Sequence, residues 1–327
     1  MLRFLFLMIA FLFIAGASVY ILFFRETQEA PILFAYDKND PVFGVGKMRF
    51  TDDIAPSFAT DLCVASEDIS LDGLNISAAA GAIFDVAAKE VTYAKGLHEK
   101  FYPASITKIM TTLVALKYGN LDDVVTVGEE CKDIEFGSSV CEIHVGDRLT
   151  LRQLLYGLMI NSGNDASMTV AVHIGGTVEN FVVMMNEEAS RIGATNTHFT
   201  NPHGLQNENH YTTVYDIYLM FHEALNYPDF HDMISKHTYY AEFTGIDNES
   251  RGVMWESTNH YFINQATPPA DILVYGGKTG TTSEAGACLA LYSKDKYGDP
   301  FITIILKAED KETLYVEMNE LLFKINK

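Results

Sequence analysis

Three short groupings of side chains in this sequence can do chemistry together. Ser105-Ile106-Thr107-Lys108 reads S-x-x-K at a predicted helix start, Ser162-Gly163-Asn164 reads S-x-N at a predicted break between helices, and Lys278-Thr279-Gly280 reads K-T-G on a predicted strand. Ser105 and Lys108 are three residues apart, so on a helix they share one face. A serine hydroxyl is a poor nucleophile until a base takes its proton. A lysine amine can be that base once its pKa falls, and both burial and a neighbouring cation lower it. Lys278 is the cation that folding would bring close. A helix starting at Ser105 also aims backbone N–H groups at developing negative charge. Ser162 and Asn164 are favoured helix caps, which is the plain reading of that motif taken alone. The presence of the other two motifs favours chemistry.

These residues need elements to position them. Ile76 to Asp85 and Glu90 to Tyr93 read as strands joined by a short turn. Pro103-Ala104-Ser105 opens a helical run through Leu116, which Gly119-Asn120 ends. Thr150 can cap a helix over Leu151 to Ile160, and another begins near Asn164 and stops at Gly175-Gly176. Thr177 caps a third, with Gly193 at its end, and Thr212 or Thr213 begins a fourth that runs to Asn226 before Pro228. Ile272 to Gly280, Ala285 to Ser293 and Phe301 to Lys307 read as strands, Tyr297-Gly298-Asp299 as a hairpin turn, and 311–325 as a closing helix. This order implies an α+β fold: one antiparallel sheet built from both chain ends, flanked by helices, with a helical block inserted.

Composition bounds the rest. The 327 residues are 48% apolar and 20% charged with a mean hydropathy of +0.06, which excludes a disordered chain. Lys+Arg of 23 against Asp+Glu of 43 gives a net charge of −20, so nucleic acid is excluded as a natural partner. Phe4 to Phe24 carry no charge and lie between Arg3 and Arg25. A run of about 20 apolar residues suits a membrane anchor. Ala15-Gly16-Ala17 offers the alternative of a cleaved signal peptide. Either reading puts the bulk of the chain outside the cytoplasm, at the cell membrane or secreted. Residues 1–25 are thus read as anchor or signal, 26–75 as an acidic spacer with Pro31, Pro41 and Pro56, and 76–327 as the catalytic domain. Cys131 and Cys141 either close a loop or are buried thiols, and no CxxC supports a zinc site. His198 and His203 read as part of a turn rather than a metal site.

Beyond the three motifs, whole segments carry a resemblance. Tyr102 to Thr111, Leu154 to Ala166, Thr197 to Leu205, His210 to Thr213 with Asp216, Thr258-Asn259, and Gly277 to Thr282 followed by Glu284-Ala285-Gly286 are similar to the serine D-alanyl-D-alanine carboxypeptidases. These are the low-molecular-mass penicillin-binding proteins of S11 peptidase type. The resemblance covers about residues 76–325 and implies a penicillin-binding-protein/β-lactamase-like fold. It implies that Ser105 attacks the carbonyl between the terminal D-alanines of a peptidoglycan stem peptide and that Lys108 accepts its proton. Ser162 would relay a proton to the departing D-alanine, helped by Lys278, and Asn164 would hold the peptide and Lys108. Lys278 and Thr279 would hold the terminal carboxylate, Lys278, Thr279, Gly280 and Thr281 would make up the substrate-binding strand, and the backbone N–H groups of Ser105 and Thr281 would form the oxyanion hole. β-Lactams would acylate Ser105. No metal or organic cofactor is implied. Relatives often carry an arginine where this chain has Leu314, leaving the carboxylate to Lys278, Thr279 and Arg251. Many also add a β-rich domain and a C-terminal anchor, a part the N-terminal segment would play here. A β-lactamase using Glu179 or Glu187, a DD-endopeptidase and a non-catalytic wall-sensing scaffold are the competing readings.

Overall fold

A computed structural model describes residues 60–325. The N-terminal anchor or signal segment and residues 26–59 of the acidic spacer lie outside the described residues. Within them, five strands form one antiparallel sheet: β1 (Ala80–Asp85), β2 (Glu90–Lys95), β7 (Leu273–Thr282), β8 (Gly286–Lys294) and β9 (Pro300–Ala308). Their spatial order is β2-β1-β9-β8-β7, so β1 from one end of the domain pairs with β9 from the other, Ile83 opposite Thr303. This is the sheet expected from the sequence.

Both faces of the sheet are covered, because the central strands are apolar at successive positions and side chains alternate between faces. Cys288, Ala290 and Tyr292 of β8, with Ile302, Ile304 and Leu306 of β9, face one core. Leu289, Leu291, Phe301 and Ile305 face the other, where the closing helix (Lys311–Ile325) lays Leu314, Met318, Leu321 and Leu322. On the first face sits the helical block. Helix α1 (Lys108–Tyr118) follows a 3-10 turn at Ala104–Thr107; α2 (Leu151–Tyr156), α3 (Asn164–Gly175), α4 (Val178–Arg191), α5 (Val214–Ala224) and α6 (Pro228–Ser235) come after it, and the closing helix is α7. The caps fall where the sequence puts them. Thr150 and Gln153 form a reciprocal capping box, and the hydroxyls of Thr177 and Thr213 accept from Asn180 N and Asp216 N. Phe84 of β1 stacks on Tyr218 of α5 with centroids 4.1 Å apart, joining block to sheet.

The structure differs from the expectation in three places. First, a second antiparallel sheet, β3 (Val124–Thr126), β4 (Arg148–Thr150), β5 (Thr238–Thr244) and β6 (Ser250–Glu256), borders the helical block. β3 and β4 have only three residues each, too short for a visible alternation. The β5–β6 hairpin does alternate, burying Ala241, Phe243 and Trp255 inward. Second, Pro228 opens α6 at the first helical position, where its missing N–H costs nothing, instead of only ending α5. Third, residues 60–75 are tied to the domain. Ile69 exchanges two 2.9 Å backbone bonds with Ala94, the Asp68 carboxylate accepts from Gly96 N and Leu97 N, and Cys63 N donates to Tyr218 Oη at 2.8 Å. Among the described residues no single helix is long and apolar enough to cross a membrane.

Candidate active site

The nucleophile segment is shaped before its helix begins. Ala104 is buried and held at φ 47°, an uncommon state for a residue with a Cβ. The chain then makes the 3-10 turn Ala104–Thr107 and continues as α1 from Lys108. In a 3-10 helix, side chains at i and i+3 eclipse. Ser105 and Lys108 therefore stand directly over one another, with Lys108 Nζ 2.9 Å from Ser105 Oγ. Ser105 is partly open to solvent, whereas Lys108 is fully buried. The Lys108 amine also contacts two atoms that can only accept, Asn164 Oδ1 at 2.7 Å and the His203 carbonyl at 2.9 Å.

The second motif is placed by a distorted helix end. After α2 the chain takes a π-helical turn over Gly157–Asn161 and then turns left-handed at Ser162, φ 60° and ψ 33°. Such π turns recur at functional sites because they re-aim the residues that follow. Here the turn puts Ser162 Oγ 3.0 Å from Lys278 Nζ and starts α3 with Asn164 facing Lys108. A wedge lies beneath it. A Cβ on Gly163 would fall 2.2 Å from Cys141 Sγ, and the Cys141 N–H donates to the Asp165 carboxylate. All four cysteines are free, buried thiols, so the Cys131–Cys141 loop closure considered from sequence is not formed.

The third motif lies on β7, the edge strand nearest the nucleophile turn. Gly280 lets that strand pass closely, since a Cβ there would meet Pro103 O at 2.9 Å and Ser105 N at 3.0 Å. Lys278 Nζ is buried and bonds Ser162 Oγ and Thr279 O, while the Thr279 side chain is partly open and Thr281 is exposed. The three motifs therefore meet: Lys108 touches Ser105 and Asn164, Lys278 touches Ser162, and Gly280 lies against the Ser105 backbone.

Burial sets the electrostatics. It lowers the Lys278 pKa to about 7. Lys108 is held well below the usual lysine range, first by burial and then by the charge of Lys278. The neighbouring histidines add no positive charge, because burial pushes His203 and His210 down to about 3. Their rings bond neighbouring turns and the nucleophile helix: His203 Nδ1 accepts from Leu205 N, His210 Nε2 bonds Thr107 Oγ1, and His198 Nδ1 donates to Asn209 O.

Arg251, which sequence reasoning offered to the carboxylate, does other work, and Leu314 stands where relatives often carry an arginine. Arg251 on β6 is paired with the buried Asp147 at 2.5 Å, so its guanidinium neutralises that carboxylate. Leu314 is 2% exposed in the apolar core beneath α7. Three contributors lie in segments noted from sequence but were given no role in the site. The His203 carbonyl holds Lys108, Gly204 allows the turn that presents it, and Thr258 touches Thr279. The Asn201-Pro202-His203-Gly204 run was the available signal, since such a composition marks a tight turn. Asn201 Oδ1 indeed accepts from Gly204 N at 2.7 Å, and Thr111 Oγ1 ties Pro202 O at 2.6 Å.

Comparison with known proteins shows which family the chain is similar to. The family model of the S11 peptidases, D-alanyl-D-alanine carboxypeptidase, matches residues 65–310. D-alanyl-D-alanine carboxypeptidase DacF of Bacillus subtilis is 37% identical over 210 residues, 63% of this chain and 51% of that protein. DacC of Escherichia coli is 32% identical over 263 residues, 76% of this chain and 61% of that protein. The chain thus spans about half to three fifths of the length of these curated relatives. The solved Streptomyces K15 DD-transpeptidase superposes with a TM-score of 0.71 at 28% identity, over 76% of this chain and 97% of that one. On the order of its motifs, the site they build and the span that matches, the chain belongs to the D-alanyl-D-alanine carboxypeptidase family of S11 peptidases.

Proposed function

We propose that the protein is a serine DD-carboxypeptidase that removes the terminal D-alanine from peptidoglycan stem peptides through a Ser105 acyl-enzyme, and that β-lactams acylate the same hydroxyl. The observation that carries this reading is the environment of the Lys108 amine. A neutral amine has two protons and one lone pair. Asn164 Oδ1 and the His203 carbonyl take the two protons, because neither can donate. The lone pair is left for the Ser105 hydroxyl at 2.9 Å. Ser105 Oγ attacks the carbonyl carbon as its proton moves to Lys108 Nζ. The N–H groups of Ser105 and Thr281 receive the oxyanion. On collapse the C–N bond breaks, and the proton that Lys108 accepted passes through Ser162, which Lys278 holds, to the departing amine of D-alanine, so that Lys108 is neutral again. Water then attacks the ester, Lys108 again acting as base, and the shortened peptide leaves with Ser105 restored.

The β-lactamase alternative needs a deacylating carboxylate near the ester. Glu179 and Glu187 lie exposed on α4, and Asp165 is committed to the backbone N–H groups of Cys141, Ala166 and Ile143. The uncharged run Phe4 to Phe24 supports a place at the extracytoplasmic face of the membrane. The test is direct: residues 27–327 incubated with a pentapeptide ending in D-Ala-D-Ala release free D-alanine, and the Ser105→Ala protein does not. Release by both proteins would discard the serine mechanism. Labelling by fluorescent penicillin without any D-alanine release would favour the scaffold reading.

A further inference from the structure

The Thr258-Asn259 pair was noted in the sequence, yet no step above uses it. In the structure Thr258 Oγ1 lies 2.5 Å from Thr279 Oγ1, and both residues are partly open to solvent. The turn that carries Thr258 is fixed from several sides. Thr258 N donates to Ile160 O, and Ser257 N donates to His237 O at 2.8 Å. The Tyr315 hydroxyl accepts from His260 N at 2.8 Å and donates to Asn259 Oδ1 at 3.1 Å, with its ring stacked on His260. A hydroxyl on so constrained a turn is not free to leave its neighbour.

Each threonine hydroxyl has one proton to give. Their mutual contact uses one and leaves one. Donation within the pair polarises the remaining O–H and strengthens it toward an anion. Arg251 is occupied by Asp147 and position 314 is an apolar core residue, so neither supplies a cation here. We infer that Thr258 and Thr279 act as one donor unit whose spare proton goes to the C-terminal carboxylate of the substrate, with Thr258 as the positioning residue for that recognition. This assignment rests on the acyl-transfer reading above, and it names a residue which that reading lacks.

The experiment compares acylation by a penicillin bearing its free carboxylate with acylation by the methyl ester of the same penicillin. It uses the wild type, Thr258→Val and Thr258→Ser, with thermal melting measured for all three. Valine keeps the shape and removes the hydroxyl. Without its partner the Thr279 hydroxyl is no longer held toward the carboxylate, and loss of that hydrogen bond to a charged group predicts that Thr258→Val is acylated about tenfold or more slower than wild type by the acid. The two proteins should react at equal rates with the ester. Thr258→Ser should match wild type with both compounds. Equal loss by Thr258→Val on acid and ester, or no loss on either, overturns the assignment while leaving acyl transfer intact. A wild type that takes up neither compound overturns the acyl-transfer reading, and the assignment falls with it.

Discussion

Replacing Lys108 with methionine should slow acylation by penicillin by orders of magnitude while leaving the fold in place. Methionine fills a similar volume in a fully buried site, so the helix start at Ala104–Lys108 keeps its packing. What disappears is the only amine within hydrogen-bonding distance of Ser105 Oγ among the described residues. General-base assistance is worth about 10²- to 10⁴-fold, and the acylation rate should fall by that order. The pH dependence of the wild type follows from the same groups. Lys108 acts only when neutral, and its lowered pKa means that it gains a proton, and activity is lost, only as pH drops well below its ordinary range. Lys278 is the charged partner below about 7 and loses its proton as pH rises through that value. Acylation should therefore rise with pH on the acid side and decline above about 7. Lys278→Arg, which keeps a cation at all these values, should remove the alkaline decline. Stopped-flow acylation between pH 5 and 9 measures both limbs. A Lys108→Met protein that reacts at the wild-type rate would mean that another group takes the Ser105 proton.

Gly204→Ala should be nearly as damaging, by a different route. Gly204 sits at φ +90°, and a Cβ there would lie 1.8 Å from the Ala104 carbonyl oxygen and 2.4 Å from its carbon. Both clashing atoms are backbone, so the 201–205 turn must move away from the nucleophile segment. That movement takes the His203 carbonyl from Lys108 and frees an amine proton to point elsewhere. Displacing a catalytic group by about 1 Å can cost 10²-fold in rate. Steric strain of this kind should also lower stability by about 2–4 kcal/mol, which for a domain of this size is a fall of roughly 5–15 °C in melting temperature. Gly137→Ala is the control. It has a similar φ of +86° but nothing within 4 Å of the added Cβ, so it should lose far less on both counts. Matching behaviour of the two variants in calorimetry and labelling would show that the close approach is not what Gly204 provides.

What could be read from sequence depended on how local the signal was. Helix caps at Thr150, Thr177 and Thr213 involve a residue and its partner three positions later, so they were legible and correct. The long apolar strands at the end of the domain were legible for the same reason. The three motifs announced their chemistry because the residue types are unusual together. The distances between them depend on chain-crossing geometry. That the His203 carbonyl points at Lys108, that Cys141 wedges under Gly163, and that Thr258 meets Thr279 all join residues more than twenty positions apart. Backbone carbonyls also carry no side-chain signature, so no pattern in the letters distinguishes the one at His203. Arg251 was misjudged because charge alone suggested an anion-binding role, whereas its anion is the protein's own Asp147.

The central claim is that two buried amines make one hydroxyl reactive, and intact-mass measurement after incubation with benzylpenicillin tests it most directly. Wild-type protein should gain the mass of one whole penicillin, with the adduct mapping to the peptide that contains Ser105, and Ser105→Ala should gain nothing. An adduct on any other residue, or an unmodified wild type under conditions where its melting curve shows it folded, would contradict the account.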